Sequence, residues 1–219
     1  LIGTAIATAV LPTLAELFSQ QAFSQLRAKI ERAGQVMLAL TIPIAVIAGI
    51  VIQPLIQALL GLDAADTARV VLVTQVFLLG ISGHSLVELF VRSFYAMQKP
   101  KYPLILSAGT LLVYLGAGWL LSARFEAAGI AAANTLAYTL QALVLFILLN
   151  KVLSDKLELL STFARAALAA LLGGAAAWLV MRFAPIPGGA LVSAFAAGLL
   201  GLLPAALVLH KELRSLTSL

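Results

Sequence analysis

Three ionisable residues stand one helical turn apart in an otherwise apolar stretch: His84, Glu88 and Arg92. At positions i, i+4 and i+8 they share one face of a helix. A charge at the centre of a bilayer costs about 2.5–3.5 kcal/mol on insertion scales, so an intramembrane ionisable group marks a candidate functional contact. His84, Glu88 and Arg92 are therefore the candidate substrate-binding residues. A structural reading stands beside this one. Glu88 lies near the end of its apolar run, and Glu followed four residues later by Arg is the favourable order for a local ion pair at a membrane edge. His84 lies deeper, where a neighbouring helix can satisfy a lone imidazole.

Asp63 and Asp66 form a second acidic pair, D-x-x-D, in a short connector. Metal-dependent lipid enzymes use paired carboxylates, but they need more of them on one embedded face. Asp63 as a helix cap and Asp66 in the first turn, favoured by the helix dipole, account for both more simply. The chain has no H-x-x-x-H pair, no phosphate-cradling G-x-x-x-x-G-K and no nucleophile elbow. His210 stands beside Lys211 at the end of the last apolar run. With no cysteine, disulfides, thiolate catalysis and Cys-based metal sites are excluded. The chain does not read as an enzyme, and no cofactor or metal is expected.

The elements that must position these residues are long, nearly charge-free apolar runs. Residues 33–60, 70–87, 102–123, 127–150, 166–181 and 183–210 contain no Asp, Glu, Lys or Arg. About 20 apolar residues carry an α-helix across roughly 30 Å of hydrocarbon. Hydrophobic residues make up 62% of the 219, charged residues 11%, and the mean hydropathy is +1.07. That is far more apolar surface than a soluble domain of this size hides. The fold class is all-α: a polytopic transmembrane helical bundle. Six complete spans are predicted, at 33–60, 70–91, 102–122, 127–150, 164–182 and 187–210. They are preceded by an apolar stretch, residues 1–14, too short to cross alone and expected to be the end of a helix begun earlier in a longer protein.

Charge assigns the sides. The connectors 15–32, 92–101 and 151–165 and the tail 211–219 hold 11 of the 14 Lys and Arg residues. The opposite side holds Arg69, Arg124 and Arg182. Cytoplasmic loops carry the excess of Lys and Arg, so the first side is predicted cytoplasmic, with the C-terminus on it. Trp119 and Trp178 then fall near the outer ends of their helices, as interfacial anchors do. The net charge of +5 is spread along membrane edges, which argues against a nucleic-acid partner.

Segment 15–32 has an apolar stripe, Leu14, Phe18, Ala22, Leu26 and Ile30, opposite Arg27, Lys29 and Arg32. It reads either as a helix lying along the cytoplasmic interface or as a helical extension of the following span. Pro12, Pro43, Pro54 and Pro204 fall within or at the ends of spans and should bend them. Ala166, Ala170 and Gly174 form one small-residue stripe, and Ala169, Gly173 and Ala177 another, which let helix backbones approach closely.

Particular segments carry a family resemblance. The run Ile6-Ala7-Thr8-Ala9-Val10-Leu11-Pro12-Thr13-Leu14 resembles a helix ending of the MurJ/MviN family of lipid II flippases. So does Arg92-Ser93-Phe94-Tyr95-Ala96 followed by Lys99, Lys101 and Pro103. Gly129-Ile130-Ala131-Ala132-Ala133-Asn134-Thr135-Leu136 is similar to the small-residue start of a later span. Their order and spacing match over roughly residues 1–150, and the remaining two spans fit the family's final pair.

The resemblance implies the C-terminal lobe of a two-lobed, 14-helix transporter of the MOP exporter superfamily. Residues 1–150 would supply the end of the eighth helix and four full spans, and 151–219 the final helix pair and a cytoplasmic tail. The implied activity is movement of undecaprenyl-diphosphate-linked peptidoglycan precursor, lipid II, across the bacterial cytoplasmic (inner) membrane by alternating access. The implied partners are that lipid-linked precursor, membrane lipids and an N-terminal lobe preceding Leu1. By the same analogy the 164–182 and 187–210 hairpin would face the polyprenyl tail, with its small residues leaving room for the chain. Two departures limit the carry-over. The loop Gly61-Leu62-Asp63-Ala64-Ala65-Asp66 lacks the family's usual Gly-x-Phe element, and the cavity arginines of the family precede Leu1, so no diphosphate-binding residue is assigned. Other readings are an exporter of other polyprenyl-linked saccharides or of drugs in the same superfamily, a membrane-embedded lipid enzyme, and a non-transporting membrane scaffold.

Overall fold

Apolar runs too long for a soluble core become, in a computed structural model of the chain, helices folded back on one another. The structure describes residues 2–153, 156–183 and 189–214. The elements are α1 (Ile2–Ser19), α2 (Phe23–Leu60), α3 (Ala64–Ala96), α4 (Lys101–Val152), α5 (Leu160–Phe183), α6 (Ala190–Val208) and the short α7 (His210–Arg214). Among the described residues there is no strand. Five helices, α2 to α6, are long and apolar enough to cross a membrane.

α4 unites two expected spans. At 52 residues it would measure about 78 Å if straight, far more than one crossing needs. It is not straight, because Glu126 breaks it with φ 50° and ψ −129°. The limbs 101–125 and 127–152 double back as a tight hairpin. A Cβ on Gly129 would collide with the backbone of Leu121 and Ser122, so a glycine is needed at this crossing. Farther from the bend, the Gln141 side-chain amide lies 3.2 Å from Ser107 Oγ, which fixes the register of the two limbs. The expected crossings 102–122 and 127–150 are thus both present, joined without a loop.

The other expected spans are found within longer helices. Residues 33–60 belong to α2, 70–91 to α3 and 164–182 to α5, because basic-side ends extend past the apolar run. The segment 15–32 is not one interfacial helix. It is cut at Gln20–Ala22, where Gln21 takes φ 56°, and its halves finish α1 and begin α2. The apolar stripe explains the cut: Leu14, Leu26 and Ile30 all point into the main core, where α1, α2 and α3 meet, and are fully buried. The final span begins at Ala190; Pro187, its expected start, lies outside the described residues.

Asp63 caps α3 through its carboxylate, which accepts the Asp66 N–H at 2.8 Å, and Asp66 pairs with Arg69 at 3.2 Å. These acidic residues therefore serve the helix start. Pro12, Pro43, Pro54 and Pro204 all lie inside helices.

The small-residue stripes of α5 are its buried face: Ala166, Ala169, Ala170, Gly173, Gly174 and Ala177. A Cβ at Gly173 would come within 2.6 Å of the Gly201 carbonyl of α6, while one at Gly174 would meet Val46 and Ile50 of α2 at 3.0 and 3.2 Å. Close backbone packing therefore uses these small residues against α2 and α6.

Candidate functional site

The face of α3 that carries His84, Glu88 and Arg92 turns toward the second limb of α4. His84 Nε2 lies 2.8 Å from Asn134 Oδ1, and the His84 ring stacks on Tyr138 with centroids 3.7 Å apart and planes 25° apart. An imidazole N–H at Nε2 donating to the amide oxygen satisfies that N–H and that oxygen. One turn toward the basic side, Arg92 donates to the Glu88 carboxylate and, at 3.3 Å, to the Glu88 carbonyl. The Arg92 side chain is 21% exposed and that of Glu88 43%, so this pair sits at an edge. The structure thus separates the three predicted residues into a cross-helix contact and a local ion pair.

Asn134 and Tyr138 also line a cleft of about 390 Å³ between α3 and both limbs of α4. Gln141, Ser107, Thr110 and Tyr114 contribute further polar groups, and Val87 and Val91 form its α3 wall. Thr110 is bonded to its own helix at Leu106, whereas Gln141 bridges the limbs through Ser107. These amide and hydroxyl groups, with no carboxylate among them, can donate and accept hydrogen bonds. Among the described residues no three His, Asp or Glu side chains group as metal ligands would. Sequence reasoning missed Asn134, Tyr138 and Gln141. The available signal was a period: the amide and phenol side chains at 134, 138 and 141 follow helical spacing through a charge-free run.

A second, apolar cavity of about 480 Å³ lies on the other side of α3, between α2, α3, the second limb of α4 and the start of α5. Its walls include Leu38, Ile42, Leu86, Phe90, Ala142 and Phe146.

A polar clasp closes the basic side. Arg27 Nε and Nη2 both donate to the Lys156 carbonyl, at 2.9 and 2.7 Å, and Nη2 also meets Glu31 at 2.7 Å. The same Glu31 oxygen, Oε2, also accepts the Glu158 N–H at 3.2 Å. Farther along, Asn150 accepts the Leu157 N–H at 2.7 Å. The connector before α5 is thereby fastened to the start of α2. Arg165 of α5 pairs with Glu212 of α7, a residue only 4% exposed, which docks the last helix in the same layer.

Antiparallel apolar hairpins, helices with internal prolines and a polar cleft between α3 and α4 define a class: a polytopic helical membrane-protein bundle. A family model described as "Lipid II flippase MurJ" matches residues 1–201. The chain belongs to the MurJ family. It is 26% identical over 216 residues to a "Probable lipid II flippase MurJ" of Rhizobium meliloti (strain 1021), covering 95% of this chain and 40% of that protein. Its fold is similar, with a TM-score of 0.78 and 17% identity, to a solved structure titled "Lipid II flippase MurJ, inward closed conformation". That match covers 96% of this chain and 44% of the solved one. The chain therefore spans well under half the length of these relatives.

The resembling segments occupy structural corners. Ala7, Val10 and Leu14 are the buried face of α1. Phe94 is fully buried and lies 5.3 Å, centroid to centroid, from Tyr102, closing the corner between α3 and α4. Gly129, Ala131 and Ala133 are buried at the start of the second limb, and Thr135 donates to the Val76 carbonyl of α3 at 2.9 Å.

Proposed function

We propose that this chain is the C-terminal portion of a lipid II flippase, acting with an N-terminal lobe to carry the undecaprenyl-diphosphate-linked precursor across the cytoplasmic membrane. The observation that carries this reading is the family match over residues 1–201, nearly the whole chain. The bundle is consistent with alternating access: it has antiparallel hairpins, prolines inside α1, α2 and α6, and few buried charges among the described residues. The basic side faces the cytoplasm in this reading, and so does the C-terminus, on the strength of the Lys and Arg excess there. The reaction is transport, with no bond made or broken.

Within that function His84 is a positioning residue that holds α3 to the second limb of α4. Glu88 and Arg92 lie at the cytoplasmic edge, where Arg92 is placed to meet either its helix neighbour or an anionic headgroup.

Complementation tests the reading. A cell depleted of its own lipid II flippase should grow when given the complete protein that carries this chain. Residues 1–219 alone should insert but fail to restore growth, because only one lobe is present. Transport of lipid II by residues 1–219 alone in vesicles would show that the substrate path lies within this chain and would overturn the two-lobe reading.

A further inference from the structure

We propose that the polar cleft between α3 and the two limbs of α4 binds a cluster of ordered water molecules inside the hydrocarbon layer. Its lining leaves hydrogen-bonding groups of both kinds without protein partners. The Gln141 amide nitrogen donates to Ser107, so its carbonyl oxygen is left to accept, and the residue is only 5% exposed. The Asn134 oxygen is engaged by His84, so its amino group is left to donate. Among the described residues the hydroxyls of Tyr114 and Tyr138, on opposite limbs of α4, have no hydrogen-bond partner in the protein. Hydrocarbon satisfies none of these groups, and at that depth each unsatisfied one is costly. Water both donates and accepts, so one kind of molecule serves them all. At about 390 Å³ the cleft has room for several waters, each of which takes about 30 Å³ in the liquid.

Depth makes this a membrane-embedded site. From Lys101 at the basic edge, Ser107 lies about 9 Å and Tyr114 about 20 Å along the first limb, near the middle of a roughly 30 Å hydrocarbon layer. The surroundings show why water would stand here and not elsewhere around α3. The apolar cavity on the far side has Ser82 and Thr139 as its only polar lining residues, and Ser82 is engaged by Thr41 Oγ1 at 3.1 Å. A site with so few partners does not hold water. The direct interface of α3 with the second limb is closed. A Cβ on Gly80 would meet Thr135 Oγ1 at 2.7 Å, and one on Gly83 would meet Thr139 Oγ1 at 3.1 Å. The first limb packs differently, with Pro103 its only buried residue. Water therefore stands where the first limb leaves α3 and the second limb apart, and it carries the hydrogen bonds among the three helices there.

The proposal is independent of whether the protein transports lipid II. The test is hydroxyl-radical footprinting of the full-length protein in phospholipid nanodiscs, by brief X-ray irradiation in heavy-oxygen water. Radicals made in place from bound water mark the side chains that touch it, and mass spectrometry maps them. Tyr114 and Tyr138 should be labelled at a rate comparable to that of Tyr95, which is 52% exposed at the basic edge. Phe90 and Phe146, which line the apolar cavity, should be labelled at least about tenfold more slowly, as a dry site requires. Thr110→Val with Gln141→Leu strips polar groups from the cleft at little change in volume. Labelling of Tyr114 and Tyr138 should then fall about tenfold, the change that one lost hydrogen-bond partner makes in an occupancy, with Tyr95 unchanged. Ser107→Phe, at an exposed position, fills the cleft instead and should have the same effect if the first variant folds poorly. Tyr114 and Tyr138 labelled as slowly as Phe90, or labelled equally in the wild type and both variants, would overturn the water site. Labelling suppressed by sodium chloride but not by choline chloride would overturn it too, by assigning the cleft to a cation.

Discussion

His84 and Arg92 lie two helical turns apart on α3, yet their partners give them different work. The Glu88–Arg92 pair is local and could be anticipated from spacing, since i and i+4 on one helix must be neighbours. The His84 partners could not: Asn134 and Tyr138 lie 50 and 54 residues away in sequence, and no local pattern specifies which helix will face which. A double-mutant cycle on His84→Ala and Asn134→Ala should return a coupling of about 0.6–1.7 kcal/mol, the range found for hydrogen bonds between membrane helices. Thermal unfolding in detergent measures it, and additive effects would remove His84 from its positioning role. The edge pair is probed by exchanging its charges, Glu88→Arg with Arg92→Glu. The reversed order is less favourable on a helix by only a few tenths of a kcal/mol. Growth in the complemented strain should therefore survive the exchange, while Arg92→Ala alone should cost modestly by leaving Glu88 unpaired. An exchanged protein that is normally expressed but fails to support growth would make Arg92 a substrate or gating contact.

At the scale of elements, the sequence located crossings well and their joints poorly. Charge-free runs set by hydrocarbon thickness are visible in composition, so every described crossing lies within a few residues of expectation. Helix ends outside the hydrocarbon obey a different rule. There the backbone hydrogen bonds continue into charged sequence, as at Phe23–Arg32, and stop where a residue adopts a left-handed conformation: Gln21, Gln98 and Glu126 all have φ between 50° and 57°. None is the glycine or asparagine that signals such a stop. Glu126 is the most demanding, because φ 50° with ψ −129° is the first central position of a type II′ turn, which favours glycine. Strain of this kind costs of the order of 1–3 kcal/mol in a residue with a Cβ. Glu126→Gly should accordingly raise stability by about 1 kcal/mol, and Glu126→Val should lower it. A melting temperature unchanged in both would show that the hairpin turns by another geometry.

At the scale of the whole molecule, what determines function is which side of the membrane each layer faces, and this rests on charge rather than on packing. The helix order of the structure alternates the basic connectors at 20–22, 97–100 and 153–159 with the opposite turns at 61–63 and Glu126. Any single connector placed in the cytoplasm therefore fixes the others. The clasp on residues 156–158, the Glu88–Arg92 pair and the Arg165–Glu212 pair stand in the same basic layer. The chain contains no cysteine, so introduced thiols report without background from it. Cysteines placed at Asp63, Glu126 and Pro187 in the full-length protein should react with an impermeant maleimide added to intact cells. Those at Lys29, Lys101 and Lys156 should react only after permeabilisation. Because the crossings are coupled, reversal at one position with the rest as expected would mean a misplaced crossing. Reversal at all six would invert the orientation and move the clasp to the outer side.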